Sequence, residues 1–238
     1  MSSACSGVLH EAPVPGSGPG ASLVFPGPIR AAVFDMDGVL IDTEPLWRAA
    51  EAELLERHGD RFTAADAEAT HGRSIEDTVA VYAARLDGAV VAEIREELLA
   101  AMRVHYAAGP PLRPGAREIV EALGRRMPLG VASNTDGDLV RIALEGAGLL
   151  GNFAVIASGA DIGRAKPHPD VYLAACHGLG VEPPLAVAFE DSPAGVRAAK
   201  AAGMMCIGVP DRDGVDLIAA GADLVVASLA EVIGLTLD

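Results

Sequence analysis

The 238-residue chain carries 18 Lys and Arg against 33 Asp and Glu, a formal net charge of −15, and half of its residues are hydrophobic. A surface this acidic repels nucleic acid and anionic membrane, so neither is expected as a partner, and the apolar fraction excludes a wholly disordered chain. A phosphorylated substrate would meet the same repulsion unless a metal or a local cation stood beside it.

The length suits one to two domains with a sizeable core. Three cysteines, Cys5, Cys176 and Cys206, are too far apart for metal-ligand spacing or a disulfide framework. They predict reduced thiols in a cytoplasmic protein, with Cys176 and Cys206 as packing residues. No apolar run reaches the roughly 18 residues of a membrane helix. Residues 1–28 are rich in Ser, Gly and Pro and hold no Lys or Arg among the first 28 positions, which reads as a flexible tail without a secretory or transit signal.

In chain order, residues 31–34 form a continuous apolar run that stops at Asp35, the pattern of a buried parallel strand. Asp35 and Asp37 are two apart, so in extended chain they point to one side, and Gly38 lets the backbone turn sharply after them. Thr43 is placed to N-cap the next helix with Pro45 in its first turn, and apolar spacing predicts that helix over 46–57. Thr63 with Asp66 predicts a short helix to Thr70. His71-Gly72-Arg73-Ser74 reads as a loop, and Ser74 with Asp77 opens a helix over 75–86. A further amphipathic helix is expected over 91–106, and a purely helical block this early in the chain reads as a cap or lid.

From Arg117 helices and strands alternate. Helices are expected over 118–126, 138–147, 169–179, 193–202, 215–220 and 229–235, and strands over 129–132, 153–157, 185–189, 206–209 and 224–226. Such alternation implies α/β architecture: a doubly wound parallel sheet, Rossmann-like, with an inserted helical cap domain. The boundaries expected are a tail at 1–28, a core of 29–44 and 111–238, and a cap of 45–110.

Three expected strands end in polar residues: Asp35 with Asp37, Ser133-Asn134-Thr135, and Glu190-Asp191. A parallel sheet gathers them at one edge, where ligands bind in open α/β sheets. Two carboxylates there suit a nucleophile and a proton shuttle, although Asp-Gly sequences also make plain surface turns. Ser133 and the amides after it precede a helix, which suits either an anion perch or an ordinary N-cap. Glu190 and Asp191 would repel each other without a cation or proton between them, and oxygen-rich sites suit Mg²⁺. Asp191 could instead cap the helix at Pro193, but Ser192 is available for that. Lys166, between prolines after an expected strand, is placed to neutralise charge at the same edge.

Four segments taken together resemble the haloacid dehalogenase superfamily: Phe34-Asp35-Met36-Asp37-Gly38-Val39; Val131-Ala132-Ser133-Asn134; Lys166-Pro167-His168-Pro169-Asp170; and Phe189-Glu190-Asp191-Ser192-Pro193-Ala194-Gly195. The resemblance is closest to its branch of sugar-phosphate phosphatases and β-phosphoglucomutases, and runs from about residue 29 to the C-terminus. It implies that Asp35 becomes an aspartyl phosphate and that Asp37 protonates the leaving alcohol, then activates water. It implies that Ser133 and nearby amides hold phosphoryl oxygens while Lys166 offsets charge. Mg²⁺ would be held by Asp35, the Asp37 carbonyl and Asp191, with Glu190 direct or one shell out.

The substrate, a small phosphorylated metabolite, is expected to meet Ser133, Asn134 and Lys166 from the core, and Thr43, Trp47, His71, Gly72, Arg73 and Ser74 from the helical side. The mutases of this branch carry His where this chain has Trp47, and Lys where it has His71, which disfavours a phosphomutase. Dehalogenases generally lack the second aspartate, so Asp37 points to phosphate chemistry. The expected activity is that of a Mg²⁺-dependent phosphoric monoester hydrolase working as a monomer. A phosphomutase is the alternative, and a binding protein on the same fold a third reading.

Overall fold

A computed structural model of the protein describes residues 28–70, 74–86, 88 and 90–233. Its strands are β1 (Ala31–Phe34), β2 (Leu129–Ser133), β3 (Val155–Ser158), β4 (Ala186–Glu190), β5 (Met205–Gly208) and β6 (Leu224–Val225). The helices are α1 (Glu44–Arg57), α2 (Ala64–Thr70), α3 (Ile75–Arg85), α4 (Val91–Ala107), α5 (Ala116–Gly124), α6 (Gly137–Gly146), α7 (Gly159–Ile162), α8 (Asp170–Leu179), α9 (Pro193–Ala201) and α10 (Leu229–Ile233).

All six strands are parallel, in the order β3-β2-β1-β4-β5-β6. The chain starts in the middle, fills one side with β2 and β3, then crosses to β4 on the other. The strand order therefore reverses between β1 and β4, the position at which open α/β sheets bind ligands. Every residue of β1, β2 and β4 is buried, which explains why they read as unbroken apolar runs.

Strand alternation sorts the core into two clusters. Ala32, Phe34, Val131, Val187, Phe189 and Ile207 face one side; Ala31, Val33, Ala132, Ala186, Ala188 and Cys206 face the other, under Val171, Tyr172 and Val196 of α8 and α9. The first cluster continues without a break into the helical block, through Leu54, Tyr82, Leu98 and Tyr106. Phe34 and Phe189 stack with centroids 4.6 Å apart. Their successors, Asp35 and Glu190, consequently emerge together on the other face.

Helix entries follow the sequence closely. Ser74 Oγ accepts the Asp77 amide at 3.1 Å, and at α2 the Thr63 amide donates to Asp66 Oδ2 at 2.7 Å while Thr63 Oγ1 accepts the Asp66 amide at 3.4 Å, a reciprocal cap. Ser192 Oγ accepts the Gly195 amide at 3.0 Å, which leaves Asp191 free of capping. Two expectations are corrected. Thr43 stands at the N-cap of α1, but its side chain makes no capping bond, because its backbone is already helical (φ −86°, ψ −20°) and points the hydroxyl away from the first-turn amides. Residues 215–220 form turns rather than a helix. Asp216 Oδ1 takes the Ala219 amide at 2.9 Å, and only Leu217 of this segment is buried, too little packing to sustain a helix that short. The expected helix at 229–235 is seen as α10, and its last two positions lie outside the described residues. The short α7 after β3 was not expected.

Among the described residues, no helix is long and apolar enough to cross a membrane. Cys176 and Cys206 are buried free thiols, and Cys176 Sγ lies 3.8 Å from Met204 Sδ, as packing residues should.

Candidate active site

At the carboxyl ends of β1 and β4, the Asp35 amide donates to the Phe189 carbonyl at 3.0 Å, so the two chain ends stay in register one residue past the strand. Lys166 arrives from the connection between α7 and α8. Its Nζ lies 2.8 Å from Asp35 Oδ1 and 2.6 Å from Glu190 Oε1. The Lys166 backbone is held too, its amide donating to Asn134 Oδ1 at 2.8 Å. Asn134 thus braces the lysine loop. Beneath the pair, the Tyr172 hydroxyl donates to Glu190 Oε1 at 2.5 Å, and the Lys166 ammonium sits 5.2 Å from the centre of the Tyr172 ring.

Asp191 completes the cluster: Asp35, Glu190 and Asp191 each offer an oxygen, all within 4.8 Å of one another. Glycines make room for two of these carboxylates. A Cβ on Gly38 would overlap Asp191 Oδ2, and a Cβ on Gly195 would overlap the Glu190 carboxylate. Gly38 also has a φ of +75°, open to glycine but strained for other residues.

The electrostatics of the cluster are those of a site short of positive charge. Burial pushes Asp35 up to about 8 despite Lys166 beside it, and Glu190 and Asp37 push the same way. Burial, Asp35 and Glu190 likewise hold Asp191 well above the usual carboxylate range. Burial works against the charge on Lys166, but Asp35 and Glu190 more than offset it and raise its affinity for the proton. Three carboxylates around one ammonium leave a deficit that a divalent cation would fill. Oxygen donors gathered this closely fit a hard ion such as Mg²⁺.

Asp37 faces a different set of partners. Ser133 and Thr135 hydroxyls donate to its Oδ2 at 3.2 and 2.9 Å, and the Tyr106 hydroxyl reaches Oδ1 at 3.4 Å. Ser133 also accepts the Thr135 amide at 3.0 Å, and the N-cap of α6 is Asp136, so Ser133 is not the capping residue. Trp47 of α1 is half-buried against the core, near the Tyr106 hydroxyl.

The structure therefore gathers Asp35, Asp37, Ser133, Asn134, Lys166, Glu190 and Asp191 at one sheet edge, with Trp47 further out beside Tyr106. Thr43 is buried, its carbonyl accepting the Leu46 and Trp47 amides, each at 3.0 Å. The candidate residues His71, Gly72 and Arg73 lie outside the described residues. Sequence reasoning missed three hydroxyls, those of Tyr106, Thr135 and Tyr172. Tyr106 was hidden in the apolar stripe of α4, where its ring is a legitimate core member. Thr135 was visible in the strand-end tripeptide, but nothing in the sequence paired it with Asp37.

This cluster of carboxylates and one lysine stands at the switch point of a Rossmann-like parallel sheet. Residues 29–203 match the model of the haloacid dehalogenase-like hydrolases, and the chain belongs to that family. It is 36% identical to validoxylamine A 7'-phosphate phosphatase of Streptomyces hygroscopicus subsp. limoneus, over 85% of this chain and 95% of that protein. It is 38% identical to hexitol phosphatase B of Escherichia coli K12, over 78% and 85% respectively. Among solved structures, CbbY from Rhodobacter sphaeroides in complex with phosphate aligns with a TM-score of 0.75 at 32% identity, covering 87% of this chain and 99% of that one.

Proposed function

We propose that this hydrolase cleaves the phosphomonoester of a small sugar phosphate. The observation that carries the reading is the placement of Lys166 Nζ within 2.8 Å of Asp35 and 2.6 Å of Glu190, with Asp191 close by: a buried nucleophile, a fixed cation and spare oxygen ligands in one cluster. The two relatives that are named phosphatases of phosphorylated sugar-like compounds support the substrate class.

In this reading an Asp35 carboxylate oxygen attacks phosphorus. The bond from phosphorus to the alcohol oxygen breaks, and that oxygen takes a proton from Asp37. Asp37, now ionised, takes a proton from water, whose oxygen attacks the aspartyl phosphate and frees both phosphate and Asp35. Ser133 keeps its hydroxyl on Asp37 while backbone amides beside it bind phosphoryl oxygens, and Lys166 holds Asp35 in place while offsetting the charge that gathers on the transferring group. Asp35, Asp191, the Asp37 carbonyl and Glu190, directly or one shell out, would hold Mg²⁺. The ion would supply positive charge toward the phosphoryl oxygens, which this acidic protein otherwise repels. The helices α1–α4 serve as a lid that excludes water, with Trp47 toward the sugar.

Inorganic phosphate release from a panel of hexose and hexitol phosphates tests the proposal. Release is expected with Mg²⁺, is abolished by EDTA, and is absent in Asp35→Asn although that variant folds. Undiminished turnover by Asp35→Asn rules the mechanism out. Isomerisation without net phosphate, dependent on a bisphosphate, would mark a phosphomutase instead.

A further inference from the structure

We propose that Tyr106 is a positioning residue for leaving-group protonation, holding Asp37 through its hydroxyl and tying that acid to the helical block. The inference rests on the reading of Asp37 as the proton donor.

The Asp37 carboxyl is bonded asymmetrically. Its Oδ2 receives two hydroxyls, from Ser133 and Thr135, both from the strand end of the core. Its Oδ1 receives one, from Tyr106, at 3.4 Å, and that residue comes from the far end of α4. An oxygen that accepts two hydroxyl bonds has no room for a transferable proton. Oδ1 keeps a second direction open beside the Tyr106 bond. Oδ1 is therefore the oxygen left to face the departing alcohol oxygen, and Tyr106 fixes where it points.

Tyr106 itself is firmly placed. The residue is fully buried, and Trp47 of α1 packs near its hydroxyl. Its backbone carbonyl lies so near Gly146 that a Cβ there would overlap it, so α4 and α6 meet at a backbone-to-backbone contact that no side chain cushions. Tyrosine places a donor on a rigid ring of fixed reach, so a small displacement of α4 would move the donor off Oδ1. Ser133 and Thr135 would still hold Oδ2, and Asp37 would then be free to swing about that single anchored oxygen. Proton transfer needs the acid within hydrogen-bond reach of the departing oxygen, and a shift of about 1 Å can cost on the order of a hundredfold.

A residue that merely fills the core would affect every substrate alike. A residue that aims the acid matters only where the leaving group needs a proton. The test compares kcat/KM for phenyl phosphate and 4-nitrophenyl phosphate, with Mg²⁺ present, for the wild type, Tyr106→Phe, Trp47→Phe and Asp37→Ala. 4-Nitrophenolate leaves without protonation; phenolate is a poorer leaving group and gains from it. Tyr106→Phe, which keeps the ring in the core, is expected to lose about tenfold on phenyl phosphate and less than about twofold on 4-nitrophenyl phosphate. Trp47→Phe is expected to follow in the same direction with a smaller loss, and gives a second readout if Tyr106→Phe folds poorly. Asp37→Ala is expected to show the steepest dependence on leaving group. Equal losses on both substrates, or no loss on either, in the Tyr106 and Trp47 variants while Asp37→Ala remains steep would overturn the role of Tyr106 alone. An Asp37→Ala variant indifferent to the leaving group would overturn the acid assignment and, with it, this inference.

Discussion

Gly195 leaves the space that the Glu190 carboxylate occupies: a Cβ at that position in α9 would overlap the carboxyl carbon and both oxygens. A helix turn and a strand end are thereby packed against each other with a charged group between them. In an exposed helix, replacing Gly by Ala stabilises by about 1 kcal/mol. Here the sign reverses. Gly195→Ala must displace Glu190, which is fixed by Lys166 and Tyr172, and overpacking of this kind costs about 1–3 kcal/mol. The expected outcome is a lower urea midpoint together with reduced phosphate release. A variant as stable and active as the wild type would mean that Glu190 is not held as described.

Metal binding should be visible without turnover. Asp35, Glu190 and Asp191 share one cluster, and among the described residues Lys166 is the cation paired with its two buried members. An ion that binds the folded chain and not the unfolded one raises stability, by about 2.7 kcal/mol at a hundredfold excess over Kd. Adding Mg²⁺ to EDTA-treated protein is therefore expected to raise Tm, and Asp191→Ala is expected to abolish that rise while keeping the fold. Thermal denaturation with and without the ion measures both. An equal rise in the variant would remove Asp191 from the ligand set.

The helical block carries its own pH dependence. Glu51 is buried and accepts hydroxyls from Tyr82 at 2.6 Å and Thr70 at 2.8 Å. Burial raises its affinity for a proton above the ordinary value of 4.5, and the two hydroxyls only partly counter that. Because the folded-state value lies above the unfolded one, the folded chain holds this proton more tightly. Its contribution is full below pH 4.5 and is lost as pH climbs through the higher folded value. Glu51→Gln keeps an oxygen for both hydroxyls and removes the ionisation. The variant is expected to gain stability relative to the wild type between pH 4.5 and neutrality, read as urea midpoints across that range. A constant difference would show that Glu51 does not titrate differently in the two states.

The elements were largely legible because their signals are local. The run at 31–34 is apolar throughout since both faces of β1 are covered, and the caps at Thr63, Ser74 and Ser192 act within three residues of themselves. Local signals misled where packing was absent. Residues 215–220 have helical composition, but only Leu217 is buried, with Val215 and Ala220 packed partly against the same core, and a lone turn cannot sustain a helix.

The sequence by itself determined the parallel α/β order, the family, and the acids and lysine at the strand ends, because spacing along a strand dictates facing and four ordered motifs are hard to produce by chance. Tertiary structure alone decided which groups meet. Lys166 bridges Asp35 and Glu190 from far along the chain, Asn134 serves the lysine loop, and Tyr106, Thr135 and Tyr172 lend hydroxyls across long sequence separations. The physical reason is one of range. Propensity and periodicity act over a few residues, whereas a hydrogen bond between α4 and the end of β1 depends on how whole helices pack.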